Sequence, residues 1–449
     1  MGEHVFRFLY PHQAMMLSLF DGQRDLPDII EAVAQLFTID LEAASREVET
    51  LLDLPLNRRK TVRSLIVDAF TVDVNKKRIY DPYDFIVPEE HIDMSDIRCK
   101  IPCSLIVLPT MRCFTDCIYC YADREGMHRP ELTLDVYRRL LSEAKACGIE
   151  TVEISGGDLF CRNDAFALIE CTLSEDMYLT IPTKYPLSED DAHRLAHIGL
   201  STIQVSIDAL SPPLIDTMVA RSGYGKKILK TIDYLGEAGI QVRTNSVLTT
   251  YNIKDAVQLA RYLAQKQHVF KCTFTPYGKS LYCHKDSLFC SPDDFIEFEK
   301  ELSQIRDEFP HKALYFSGAP PDPYYGDEKE KTSAFWERAF CTANRRGVVV
   351  LPNGKVTICE ELYFHEYFII GDITSQTLLE VWNSPRALEL AYPDQSLIPD
   401  GPCKDCPDFC RCHENLGRCV RDTIKAYGCN NPHWPDPRCP RAPVGNRMV

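Results

Sequence analysis

The chain has 449 residues, 45% hydrophobic and 26% charged, with 20 cysteines and a formal net charge of -15. That length points to two or three domains with ample material for a core, and excludes a mostly disordered or collagen-like chain. Acidity without a compensating basic stripe argues against nucleic-acid binding. The opening MGEHVFRFLYPHQ lacks the basic and apolar regions of a signal peptide, and no stretch approaches the roughly 18 to 20 apolar residues of a membrane span. The expectation is a cytoplasmic chain whose thiols stay reduced and bind metal rather than pair as disulfides.

Residues 1–95 open with helical periodicity. Segment 12–20 reads as a helix that stops near Asp21-Gly22. A second helix follows Asp25, with Pro27 in its first turn and Ile29, Ile30, Val33, Leu36 and Phe37 at helical spacing. Residues 41–54 predict a third. Segments 62–70 and 77–85 flank a turn at Val74-Asn75-Lys76 and predict a β hairpin. Three short helices and a hairpin make a winged-helix-like domain.

Residues 96–315 alternate β and α. Strands are predicted at 104–110, 151–157, 178–184, 202–210, 241–249 and 272–277, with helical stretches between most of them. The class is α/β, a parallel sheet with right-handed crossovers and chemistry at the strand C-termini. Residues 316–449 are rich in Pro and Cys, and nine of the 20 cysteines fall between Cys341 and Cys439. Such a thin core needs a metal or covalent staple.

Directly after the first strand come Cys113, Cys117 and Cys120, spaced C-x3-C-x2-C. Three thiolates on one short loop can each bind one iron of a cubane, leaving the fourth iron to a small molecule. A zinc knuckle would need a fourth ligand close behind, and the nearest is His128. With Tyr119 before the last cysteine, the motif resembles that of the radical S-adenosylmethionine (SAM) superfamily. The resemblance implies a partial (β/α)6 TIM-like barrel and a [4Fe–4S] cluster that chelates SAM. One electron then cleaves the sulfonium, giving a 5′-deoxyadenosyl radical that abstracts hydrogen from substrate. It also implies cofactor contacts. Ser155-Gly156-Gly157-Asp158 resembles the family's GGEP motif at the methionine amino group, with Asp158-Leu159 where Glu-Pro is usual. Ser206 and Asp208 correspond to the ribose position, and Arg221 to a partner of the methionine carboxylate. Thr183, Lys184, Asn245 and Val247 occupy further lining positions.

In the tail, Cys341 and Cys359 stand at the feet of a predicted hairpin turning at Pro352-Asn353-Gly354. Cys403, Cys406 and Cys412 then resemble the SPASM domain, which carries auxiliary [4Fe–4S] clusters. The usual next position falls on Leu416, whereas the next cysteine here is Cys419. The resemblance implies one cluster on Cys341, Cys359 and Cys419, and another on Cys403, Cys406, Cys412 and either Cys429 or Cys439. Nine thiols serve about eight places. Either Cys410 or another surplus cysteine completes the first cluster, or an iron there is open to a substrate thiolate. Glu360 or Glu361 would be a proton acceptor, by resemblance to sulfatase-maturing enzymes. Cys99, Cys103, Cys147, Cys161, Cys171, Cys272, Cys283 and Cys290 mostly read as fillers or free thiols, with Cys283 and Cys290, nearest the tail, as spare ligands.

The combination resembles maturases of ribosomally made peptides. That implies three [4Fe–4S] clusters, SAM, a precursor peptide whose leader pairs with the N-terminal domain by β-augmentation, and an electron donor such as flavodoxin or ferredoxin. No nucleic acid or membrane is expected. The expected reaction is sulfur-to-carbon thioether formation. Alternatives are carbon–carbon or carbon–oxygen crosslinking, epimerisation, or formylglycine formation; the non-enzymatic alternative is a zinc-stabilised peptide-binding scaffold.

Overall fold

The computed structural model describes residues 9–54, 61–67, 79–86, 98–122, 130–281, 284–318, 328–338, 341–363 and 365–443. They fall into two compact units, residues 1–95 and 96–449.

In the first unit, α1 (Pro11–Ser18), α2 (Leu26–Phe37) and α3 (Leu41–Leu52) bury Met16, Leu19, Ile29, Val33, Ala44, Val48, Leu51 and Leu52 against one another. The Asp25 carboxylate caps α2 by accepting from the Asp28 amide at 3.0 Å, and Asp40 caps α3 by accepting from Ala43 at 2.7 Å. The hairpin expectation needs correcting where it can be seen. Val62–Leu65 and Pro82–Phe85 are 3-10 turns rather than strands. Pro82 sits at the start of the second turn, which Asp81 caps, and this local hydrogen bonding competes with strand pairing. Residues 68–78, with the expected turn, lie outside the described residues.

The second unit is α/β. Its strands are β1 (Ser104–Val107), β2 (Thr151–Ile154), β3 (Tyr178–Thr180), β4 (Pro182–Thr183), β5 (Thr202–Ser206), β6 (Gln241–Leu248), β7 (Val269–Pro276) and β8 (Ala313–Phe316), then β9 (Gly347–Val350), β10 (Lys355–Thr357) and β11 (Ile369–Asp372). The helices are α4 (Leu134–Ala146), α5 (Ala165–Ser174), α6 (Glu189–His197), α7 (Pro212–Met218), α8 (Gly225–Glu237), α9 (Ile253–Gln265), α10 (Pro292–Glu308), α11 (Glu328–Glu337), α12 (Leu378–Trp382), α13 (Pro385–Ala391) and α14 (Val420–Tyr427).

One sheet runs β11-β10-β9-β1-β2-β3 and the other β4-β5-β6-β7-β8. β3 and β4 are consecutive pieces of one predicted strand, and the intervening Ile181 carbonyl accepts from the Gln204 amide at 2.9 Å. The six predicted strands are therefore present, all parallel, as an open partial barrel. Along β6, Val242, Thr244, Ser246 and Leu248 are buried, while the alternate Arg243, Asn245 and Val247 are half-buried. The predicted tail hairpin forms as β9 and β10, with Gly354 at φ +85 in its turn. Beyond the sequence expectation, β8 extends the sheet next to β7, and β9 pairs in parallel with β1. The cysteine-rich tail thus continues the barrel's own sheet. No helix among the described residues is long and apolar enough to cross a membrane.

Candidate active site

The three-cysteine loop leaves the C-terminal end of β1 and is clamped at both ends. At its start, the Arg112 guanidinium donates two 2.9 Å hydrogen bonds to the Glu131 carboxylate, which also accepts from the Thr110 hydroxyl. Buried Arg162 donates to the Pro109 carbonyl at 2.9 Å and pairs with Asp164 at 2.7 Å. Further along, the Asp116 and Ile118 amides donate to the carbonyls of Val219 and Met218, each at 2.9 Å. Burial and the charges of Asp158, Cys120 and Cys117 push the Cys113 thiol up to about 12. A thiol so placed keeps its proton until a metal displaces it.

The paired glycines serve a close approach. A Cβ at Gly157 would stand 2.4 Å from the Arg112 carbonyl oxygen, and Gly156 has φ +85. The Gly157 and Asp158 amides donate to the carbonyls of Thr110 and Arg112, each at 2.8 Å, so this loop is laced directly to the cysteine loop. The Asp158 carboxylate points inward. It accepts from the Thr183 hydroxyl at 2.9 Å, the Lys184 amide at 2.7 Å and the Phe160 amide at 3.1 Å, and burial holds it above its ordinary range.

Asp208, at the end of β5, is the hub of the site. Its carboxylate accepts from Lys184 Nζ at 2.8 Å, from the Val247 amide at 2.9 Å and from the Tyr119 hydroxyl. Burial alone would lower the Lys184 pKa, but the charges of Asp208 and Cys117 more than offset it and raise it. Burial and Asp208 hold the Tyr119 hydroxyl protonated. Ser206 and Asn245 are register partners on β5 and β6. The Arg221 guanidinium lies 3.6 Å over the Phe114 ring and donates to the Phe114 carbonyl at 2.5 Å, so it rests on the cysteine loop.

The tail divides its cysteines. Cys403, Cys406, Cys412 and Cys439 line one cavity of about 190 Å³, walled by Phe335, Phe409 and Pro440. Between the two candidates for the fourth place, the fold brings Cys439 to this cavity. Cys410 and Cys429 are exposed and do not line it. Burial raises Cys403 to about 11 and Cys439 to about 12, and the charges of neighbouring thiols add to the shift at both. The thiols are spread around the cavity. Among the described residues no three His, Cys, Asp or Glu side chains form a group that could hold a single metal ion. A π-helical stretch, Arg411–Leu416, ends at Gly417, where an added Cβ would stand 3.3 Å from Cys341 Cβ. Two residues on, Cys419 feels the charge of Cys341, after those of Asp422 and Arg421, while Arg421 also acts on Cys359.

The two acidic candidates separate. Glu360 reaches from the tail to accept a 2.6 Å hydrogen bond from the Ser155 hydroxyl, beside the paired glycines. Glu361 turns away into an ion network, accepting from Arg421 at 2.7 Å and lying 3.8 Å from Lys425 Nζ.

Residues 107–263 match the radical SAM superfamily model, and residues 341–407 match SPASM, an iron–sulfur cluster-binding domain. The chain thus carries a radical SAM domain followed by a SPASM domain. It is a radical SAM enzyme with a SPASM domain. Over 371 residues it is 24% identical to the PqqA peptide cyclase of Ruegeria pomeroyi, covering 81% of this chain and 94% of that one. Two crystal structures of Streptococcus suis SuiB share the fold. The SAM-bound form has a TM-score of 0.64 at 16% identity, covering 99% of this chain and 94% of that one. The form bound to precursor peptide SuiA has a TM-score of 0.63 at 17% identity, covering 96% and 92%.

The donor sets fit the groups this family uses. Three clustered thiols at the C-terminal end of β1 suit an iron–sulfur cluster, and so do four thiols around one apolar-walled cavity. What the sequence reading missed is the support. The Arg112–Glu131–Arg162 clamp links residues 19 to 31 positions apart, and no spacing signals it.

Proposed function

We propose that this enzyme matures a ribosomally synthesised precursor peptide by forming sulfur-to-carbon thioether crosslinks. When bound, the cluster on Cys113, Cys117 and Cys120 and its SAM supply one-electron chemistry that removes a hydrogen atom from substrate. The protein's own part is to seat that pair, with the Asp208–Lys184–Tyr119 hub as the floor of the cofactor site and Ser206, Asn245 and Val247 on its wall. The observation that carries the reading is Glu360. It brings a tail carboxylate to Ser155, one residue before the paired glycines, where it can take the proton from a substrate thiol as sulfur bonds to carbon. Cysteine arithmetic supports the thioether. With four tail thiols around one cavity, Cys341, Cys359 and Cys419 make a set one short, which a substrate cysteine would complete.

The relatives' names, a peptide cyclase and a protein bound to a precursor peptide, support a peptide substrate. In this reading residues 1–95 bind its leader. A second auxiliary cluster brings the total to three, and a flavodoxin or ferredoxin delivers electrons in the cytoplasm. The test is Glu360→Gln. It should abolish peptide modification while SAM is still cleaved to 5′-deoxyadenosine. Full crosslinking by the variant would refute the assignment.

A further inference from the structure

Arg418 sits between the tail's two cavities. It lines the 190 Å³ cavity with Cys403, Cys406, Cys412 and Cys439, and also a second cavity of about 130 Å³ with Cys341. Its Nε is fully buried and meets no hydrogen-bond acceptor among the described residues. Its Nη1 donates to a neutral group, the Trp434 carbonyl. Among the described residues no carboxylate pairs with it. Its neighbour Arg338 differs, because Asp436 stands 4.0 Å from Arg338 Nε and partly neutralises it. A guanidinium with a buried, unmet Nε and no ion pair is costly to keep; Asp436 acts on it only at longer range, and an anion held in the cavity would offset that cost.

We propose that Arg418 is a positioning residue for electron transfer, which raises the reduction potential of the iron–sulfur centre held by Cys403, Cys406, Cys412 and Cys439. Four thiolates make that centre anionic, and one added electron makes it more so. A cation lining the same cavity therefore stabilises the reduced state more than the oxidised one, and the potential rises. Arg338 acts in the same direction, its Nη2 lying 3.7 Å from Cys412 Sγ, though Asp436 weakens it. The use of a raised potential rests on the thioether reading. Closing a carbon–sulfur bond on a substrate radical leaves one surplus electron, and a centre poised higher accepts it readily.

The experiment is an EPR-monitored redox titration of the reconstituted full-length enzyme, in a background with Cys113, Cys117 and Cys120 changed to Ser. The relevant signal is the one lost on Cys439→Ser. Arg418→Met should keep its iron but shift the oxidised-to-reduced ratio at fixed potential at least tenfold toward oxidised, a midpoint lower by about 59 mV for one electron. Arg418→Lys, which keeps the charge, should stay near wild type. An unmoved midpoint in Arg418→Met, or an equal fall in Arg418→Lys, would overturn the proposal. So would loss of this centre's iron from both Arg418→Met and Arg418→Gln, which would make Arg418 a structural requirement for the cluster. Failure of the thioether reading would show separately, as unmodified peptide with wild-type enzyme and the potential shift still present.

Discussion

Asp208 offers the sharpest test of how the cofactor site is built. The residue is 1% exposed, so no water replaces what its carboxylate does for Lys184, Tyr119 and Val247. Changing it to Asn preserves shape but leaves the Lys184 ammonium facing a neutral amide. Breaking a buried ion pair costs about 3–5 kcal/mol. The Lys184 side chain keeps 18% of its exposure, so water recovers part of that and about 2–3 kcal/mol remains. The three tryptophans, Trp336, Trp382 and Trp434, all lie in the tail, so their fluorescence would miss the change. Hydrogen exchange at the Val247 amide and the 183–185 segment reads it directly, and should accelerate roughly 30- to 150-fold. Adding Lys184→Met removes the stranded charge and should restore much of the protection, with a coupling of at least about 1.5 kcal/mol. Single changes that add within about 0.5 kcal/mol would refute the hub.

Cys439→Ser should lower the iron content by about four per chain, whereas Cys410→Ser and Cys429→Ser should leave it unchanged. Colorimetric iron analysis after anaerobic reconstitution decides. Gly157→Ala forces a methyl into the Arg112 carbonyl, an overpacking cost of about 1–3 kcal/mol at the cysteine loop. It should reduce the SAM-responsive EPR signal and spare the tail clusters. At Glu131, burial opposes the carboxylate, but hydrogen bonds from Arg112 and Thr110 more than offset it and hold it below its usual 4.5. Its contribution is present above that value and lost as pH falls through the lowered one. Hydrogen exchange in residues 110–112 should therefore speed up as pH drops below about 4.5, after correction for the intrinsic rate, and Glu131→Gln should flatten that dependence.

The α/β class was legible because strand and helix patterns alternate along the chain, and the strand period of two holds in the burial along β5 and β6. β8 was not, since a four-residue strand declares itself through its partner; β9 was expected as an arm of the tail hairpin, but its pairing with β1, more than two hundred residues earlier, was not. The hairpin expected in residues 62–85 rested on apolar runs. The local capping by Asp81 and Pro82 overrode them in the part described. At the site, the three-cysteine loop could be found from its spacing after a strand, and strand-end Asp208 from its place in the resemblance. The reason for Gly157 could not, because close packing against Arg112 is a fact of three dimensions. Cysteine spacing likewise left Cys429 and Cys439 equivalent, and only the chain's return past Asp436 brings Cys439 to the cavity.

The central claim is the reaction, and mass spectrometry tests it most directly. The reconstituted enzyme, SAM and a reductant would be incubated with a cysteine-containing peptide encoded beside its gene. The account predicts a loss of two hydrogens per crosslink and a substrate cysteine that iodoacetamide no longer alkylates. A peptide of unchanged mass beside accumulating 5′-deoxyadenosine, or one that instead reacts as an aldehyde, would contradict it.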